Sequence, residues 1–254
     1  MFETSEAVLI FDYWKDPLSA GKNKDFPPLL DEINPSKAVY IIVSHHHKDH
    51  FTRRVFLWSQ KFKNIQYIIS KDVFKAVKYL FSEDGNYKGH KPLRETVHTL
   101  DRGESFSDGI LKVKAFGSTD IGNSYAIETD GLTIFHAGDL NAWLWIDEST
   151  SQEVERARTE YTSIVHEIRD EYPFFDVVMF PVDSRLGKEY WWGAKYFVNL
   201  IDTKLFVPMH FELVLSDTEK EQRRIDAAAF NLFARFNFGA YVQLASTRSR
   251  YFSN

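Results

Sequence analysis

The chain has 254 residues, 44% of them hydrophobic and 16% aromatic, which is enough to bury a sizeable core in one layered α/β domain. The formal net charge is -5, from 36 acidic and 31 basic residues, and no block of five or more Lys/Arg occurs, so a nucleic-acid partner is not expected. Cysteine is absent, which removes disulfides, thiolate ligands and a cysteine nucleophile. The opening MFETSEAVLIFDYW has no basic start, Asp12 breaks its apolar stretch, and no run approaches the roughly 18 apolar residues of a membrane span. A cytoplasmic chain with no membrane partner is the expectation.

In chain order, Val8–Tyr13 and Ala38–Val43 read as strands, as does Ile65–Ile69. After a candidate cap at Ser70, the residues Val73, Val77, Leu80 and Phe81 share one helical face. Ser82–Leu100, with Gly85, Gly89 and Pro92, reads as a surface loop. Leu111–Phe116, Ser124–Thr129 and Thr133–His136 read as strands, the last two joined by Asp130–Gly131, a pair suited to a tight hairpin turn. A helical stripe runs from Val154 to Ile168, a strand over Val177–Pro181, a second stripe from Tyr190 to Ile201 and a strand over Leu205–Pro208. A capping box at Ser216–Glu219 opens a last helix ending near Gly239, before a strand over Tyr241–Ala245. No repeat or linker divides the chain, so a single domain over 1–254 is expected, with sheets covered by helices on their outer faces.

The chemistry concentrates where the strand Ala38–Val43 runs into Ser44-His45-His46-His47-Lys48-Asp49-His50. Four of the chain's nine histidines and one aspartate fall within six residues. Imidazole and carboxylate are the usual ligands of zinc and similar divalent ions when thiolates are absent. His45 and His47, two apart, project to one side of extended backbone and can grip one ion; Asp49 and His50 follow where the chain turns and can serve a second, while His46 points away.

His45-x-His47-x-Asp49-His50 after an apolar strand resembles the signature of the metallo-β-lactamase superfamily. The resemblance implies a four-layer αββα sandwich with one or two divalent metals at one edge, and a hydrolase. It also implies that Asp139, in Phe135-His136-Ala137-Gly138-Asp139, bridges two metals, and that His210, in Pro208-Met209-His210, joins Asp49 and His50. His136 is expected to be packed or to support a ligand. The superfamily's further histidine is missing: Gly117-Ser118-Thr119-Asp120 stands in its register, and His90 and His98 lie too far upstream. Asp120 either completes the site of His45 and His47 or closes a turn. Zinc is the first expectation for the centre, with manganese or iron as alternatives, since Asp120 as a ligand would make that site harder and so friendlier to them.

A divalent ion lowers the pKa of coordinated water from about 16 towards 7, and two ions about 3.5–4 Å apart jointly polarise a scissile carbonyl or phosphoryl oxygen. Asp49 or Asp139 is then the candidate catalytic carboxylate, orienting the nucleophile and passing its proton to the leaving group. Arg185, after the strand Val177–Pro181, is the candidate substrate-binding residue, with a surface salt bridge as the competing role. Trp143, Trp145, Tyr190, Trp191 and Trp192 are candidate pocket walls or core. The expected function is hydrolysis of a small-molecule ester, lactone or phosphoester. A metal-binding protein of the same fold without turnover, or a nucleic-acid-processing phosphodiesterase, stands as the alternative, and homo-oligomerisation stays open.

Overall fold

Strands whose two faces are both apolar need cover on both sides, and the chain meets that need with two stacked sheets. The computed structural model describes residues 1–15 and 24–210 and the backbone of 240–241. The first sheet contains β1 (Phe2–Glu3), β2 (Ala7–Phe11), β3 (Ala38–Val43), β4 (Ile65–Ser70) and β5 (Val97–Leu100), in that order across the sheet. All its pairings after β1–β2 are parallel. The second contains β6 (Ser105–Ser107), β7 (Lys112–Phe116), β8 (Ser124–Thr129), β9 (Leu132–His136), β10 (Phe174–Pro181), β11 (Asp202–Met209) and β12 (Ala240–Tyr241), again in sequential order. Here β6 to β9 pair antiparallel and β9 to β12 parallel.

The period-two alternation sorts the core into three layers. Leu9, Tyr40, Ile42 and Ile68 of the first sheet meet Tyr125, Ile127 and Ile134 of the second between the sheets. The opposite face of the first sheet, with Val39, Ile41, Tyr67 and Ile69, is covered by Val73 and Val77 of α1 (Lys71–Val77) and by Val55, Phe56 and Trp58. The opposite face of the second, with Ala126, Phe135, Val178 and Phe180, packs under α2 (Ser151–Glu171) through Tyr161, Ile164 and Val165 and under α3 (Trp192–Leu200) through Ala194 and Phe197. The result is the helix–sheet–sheet–helix sandwich of the metallo-β-lactamase fold.

Several elements differ from their sequence reading. The expected loop Ser82–Leu100 ends in β5, which pairs parallel with β4 from Tyr67↔Val97 to Ser70↔Leu100. Its polar centre, His98-Thr99, hides a strand that buries Val97 on one face and Leu100 on the other. Arg53–Gln60 is a 3-10 helix whose four consecutive buried residues, Val55 to Trp58, carry no α-helical period. Ser70 stands at the N-cap of α1 but makes no capping bond, and its hydroxyl is buried without a partner. The helical stripe from Val154 is α2, opened by a Thr150–Glu153 capping box, and the stripe from Tyr190 becomes regular only at Trp192. Asp130 and Gly131 both have positive φ, 49° and 73°, as the tight hairpin requires. The capping box at Ser216–Glu219, its helix and the strand beyond Tyr241 lie outside the described residues. Among the described residues no helix is long and apolar enough to cross a membrane.

Two glycines fix how the histidine segment leaves β3. Gly122 (φ 82°) presses on the Ser44 carbonyl, and a Cβ there would also lie 2.6 Å from His45 Cβ. Gly138 (φ 53°) presses on Ser44 from the other side, where a Cβ would come within 2.6 Å of Ser44 Cβ. Gly131 also has positive φ but faces open space. Gly122→Ala is therefore expected to cost about 3 kcal/mol, combining left-handed strain with the clash, and Gly131→Ala only about 1 kcal/mol. Chemical denaturation of both variants checks this; equal losses would mean that contact with Ser44 matters little.

Candidate metal centre

Five strand ends converge at one edge of the sandwich. Asp12 follows β2, Ser44 and His45 follow β3, His136 closes β9 with Asp139 just beyond, Asp183 follows β10 and His210 follows β11. The turn between β7 and β8 adds Asp120. Two of these edge positions, Asp12 (φ 40°) and His210 (φ 60°), and Trp143 (φ 46°) beside them sit in the left-handed region, a strained backbone of the kind that collects at functional sites.

All seven ligands expected from the sequence come together, in two groups. His45, His47, Asp120 and Asp139 offer ligand atoms within 4.8 Å of one another, and so do Asp49, His50 and His210. Asp139 lies between them. Its Oδ2 is 3.4 Å from His45 Nε2, while its Oδ1 is 3.0 Å from His50 Nε2 and 3.5 Å from His210 Nε2. Asp49 Oδ2 is 3.9 Å from both His50 Nε2 and His210 Nε2. In the first group His45 Nε2 and His47 Nδ1 are 3.0 Å apart, and Asp120 Oδ2 is 3.6 Å from His47 Nδ1. The turn at Asp120 is closed by Ser118, whose hydroxyl accepts from Asp120 N, leaving the Asp120 carboxylate turned to His47. His46 points away and pairs with Asp72, as its position predicts. His98 bonds Gln66 and His90 bonds Ser59, so neither replaces the missing histidine.

The partners behind the histidines fix which nitrogen faces inward. Ser44 Oγ donates to Asp12 Oδ2 (2.7 Å), so at 2.9 Å it accepts from His45 Nδ1–H. His50 Nδ1–H donates to Asp12 Oδ2 at 2.8 Å, and His210 Nδ1–H donates to Asp183 Oδ2 at 3.1 Å. All three imidazoles thus turn Nε2 towards Asp139, the tautomer and orientation that ligation needs.

Asp12 is the residue that sequence reasoning passed over. Its buried carboxylate accepts from Ser44 N (2.7 Å), Ser44 Oγ, His50 Nδ1 and, at 2.8 Å, His136 Nε2. The signal was present as a carboxylate directly after an apolar strand. Asp183, at the equivalent end of β10, was missed in the same way; it accepts from Arg185 as well as His210. Arg185 lines the same cavity as Asp49, His50 and His210, with its guanidinium on Asp183. Of the five aromatics considered as pocket walls, Trp143 reaches the centre, donating Nε1–H to the Asp139 carbonyl (2.8 Å) and standing edge-on to His210. Tyr190, Trp191 and Trp192 pack against the core under α3.

The carboxylates make this a pocket that demands positive charge. Burial opposes ionisation of Asp12, yet His136 and His50 hold it far below the usual carboxylate range. Burial likewise opposes a charged His50, but Asp12 and Asp139 push it up to about 10; His210 is raised against burial by Asp183 and Asp139. His45 is lowered, by burial and by the charge of His50. Asp139 Oδ1 is buried, 3.0 Å from His50 Nε2 and 3.5 Å from His210 Nε2. A buried carboxylate ringed by inward-facing imidazole nitrogens suits a divalent ion.

A family model described as a β-lactamase superfamily domain matches residues 9–211, and the chain belongs to that superfamily, whose members are usually metal-dependent hydrolases. No curated protein matches it. Among solved structures, CmlA, a diiron β-hydroxylase from Streptomyces venezuelae, is 10% identical with a TM-score of 0.52; the match covers 87% of this chain but 46% of that longer one. A Parabacteroides distasonis protein described as a metal-dependent hydrolase is 16% identical over 72% of this chain and 70% of its own, with a TM-score of 0.44. The metallo-β-lactamase fold protein YhfI of Bacillus subtilis is 10% identical over 78% and 75%, with a TM-score of 0.47. At these identities the likeness is one of fold.

Two outcomes are expected. Asp12→Asn should cost about 3 kcal/mol in stability, since it breaks a buried charged network, and weaken metal binding roughly 10- to 100-fold through His45 and His50; denaturation and metal titration read both. Because His50 is raised to about 10, it carries a proton at neutral pH that an ion must displace. Apparent metal affinity should therefore climb as pH rises from 6 to 9, with proton release seen as a buffer-dependent heat in calorimetry. A pH-independent affinity would contradict this charge assignment.

Proposed function

We propose that the chain is a metal-dependent hydrolase acting on a small-molecule ester, lactone or phosphoester. The observation that carries this reading is Asp139, whose two carboxylate oxygens face two separate clusters of ligand atoms. On this reading His45, His47 and Asp120 would hold one divalent ion and Asp49, His50 and His210 a second, with Asp139 between the two groups. Such ions would supply a water of lowered pKa and Lewis-acid polarisation of the substrate oxygen. The protein supplies the rest. Asp49, whose side chain is 56% exposed, stands where a reacting group arrives and is placed to orient the water, take its proton and pass it to the leaving group. Asp139, buried between the two groups, serves to fix their spacing. Asp120 in place of an imidazole makes the first position harder, so it suits manganese or iron as well as zinc. Arg185, in the cavity wall beside His210, is placed to meet negative charge on the substrate, anchored by its bidentate hold on Asp183.

The test is turnover of chromogenic esters, lactones and phosphodiesters by the protein loaded with Zn²⁺, Mn²⁺ or Fe²⁺. Asp49→Ala and His210→Ala should each lower kcat by about 10³-fold or more with the fold retained. Asp120→Ala should lose about one ion per chain, and Asp120→His should regain it with a preference shifted to zinc. A metal-loaded protein inert to all three substrate classes would leave a binding protein of this fold instead, and unchanged metal content in Asp120→Ala would remove Asp120 from the ligands.

A further inference from the structure

The second ligand group opens into a cavity of about 430 Å³, within the range of roughly 300–1,000 Å³ that small-ligand sites occupy. Asp49, His50 and His210 all line it, whereas His45, His47, Asp120 and Asp139 do not. From there it runs between the sheets, walled by Phe2 and Phe11 of the first and by Val177, Met179, Leu205 and Val207 of the second. Phe2, Phe11, Met179 and Leu205 pack on the apolar layer between the sheets without being fully buried, so among the described residues the cavity is an unfilled continuation of that layer. The charged and imidazole side chains in its lining, Asp12, Asp49, His50, His136, Arg185 and His210, belong to the bonded cluster around the candidate ligands, while Met1 and Trp14 also line it. Even His136, packed on Phe11, spends Nε2 on Asp12, and its Nδ1 is buried without a partner.

We infer that this cavity receives the hydrocarbon portion of the substrate, an acyl or alkyl group whose reacting end lies at Asp49, His50 and His210. This rests on the hydrolase reading and narrows it. The side chains of Phe2, Phe11, Val177, Met179, Leu205 and Val207 offer no partners to the hydroxyls of a sugar or the edges of a nucleobase, and burying such groups against them unpaired is costly. A methylene chain loses nothing there and gains with each carbon removed from water. Charge at one end and hydrocarbon along the walls match an amphiphile entering head last, its acyl or phosphoryl group stopped at the carboxylate and imidazoles and any anionic charge met by Arg185.

The experiment measures binding rather than turnover, so that it stands apart from the hydrolase reading. The metal-loaded full chain is titrated calorimetrically with linear alkylphosphonates of two to ten carbons and with glucose 6-phosphate. Affinity should rise about fourfold per methylene until the cavity is full and then level off, with the sugar phosphate no tighter than the shortest phosphonate. Leu205→Trp, which fills the cavity, should flatten the series at unchanged metal content; Met179→Phe, a smaller intrusion, should shorten the chain length at which it levels off and serves if the first variant melts early. A chain-length series flat in the wild type, or one that Leu205→Trp and Met179→Phe leave unaltered, overturns the inference. A steep series in a protein that hydrolyses no ester or phosphoester would uphold the cavity and remove the hydrolase reading alone.

Discussion

The carboxylate of Asp12 accepts from both sheets at once: from Ser44 and His50 beyond β3 of the first, and from His136 at the end of β9 of the second. Desolvating a carboxylate is costly unless it is fully paired, and here the pairing comes from the backbone and side chains that carry the ligands. The edge therefore holds its shape because breaking any one of these bonds would leave buried charge unmatched. Ser44 relays the constraint one step further, fixing His45 through its hydroxyl while Gly122 and Gly138 hold its backbone. Asp183 does for His210 what Asp12 does for His50, with Arg185 balancing its charge.

This arrangement also explains why the centre lies where it does. Parallel strands deliver their carboxyl ends to the same edge, and the crevice outside those ends is where such sheets place their chemistry. Both sheets have a parallel half, β2 to β5 and β9 to β12, so two such edges face one another. The histidine segment comes from one, and Asp139 and His210 from the other.

The strands of the apolar layers were legible because they are short runs rich in Val, Ile, Phe and Tyr; Ala38–Val43 and Ser124–Thr129 match to the residue. β5 was not, because two buried side chains separated by His98 and Thr99 make no visible period. The 3-10 stretch over Val55–Trp58 failed for the opposite reason, being buried all round. The ligand residues could be read because their types are rare and cluster, and the family resemblance ordered Asp139 and His210 with them. Asp12 and Asp183 could not be read, since a lone aspartate after a strand looks like any turn former until the imidazoles of a distant segment are brought against it. His46 was set aside by the side of the backbone it leaves and pairs with Asp72, and His136 by its distance from the Gly-Asp turn; it bonds Asp12.

Each ligand group has a shielded side and an open one. His45, His50 and Asp139 are shielded, while His47, Asp120 and Asp49 have side chains 45%, 43% and 56% exposed. An ion at either position would thus be gripped from the protein side and reached by solvent from the other, through His47 and Asp120 in the first group and through Asp49 in the second. Metal could then be exchanged without opening the sandwich, and composition on isolation would reflect the growth medium as much as any intrinsic preference.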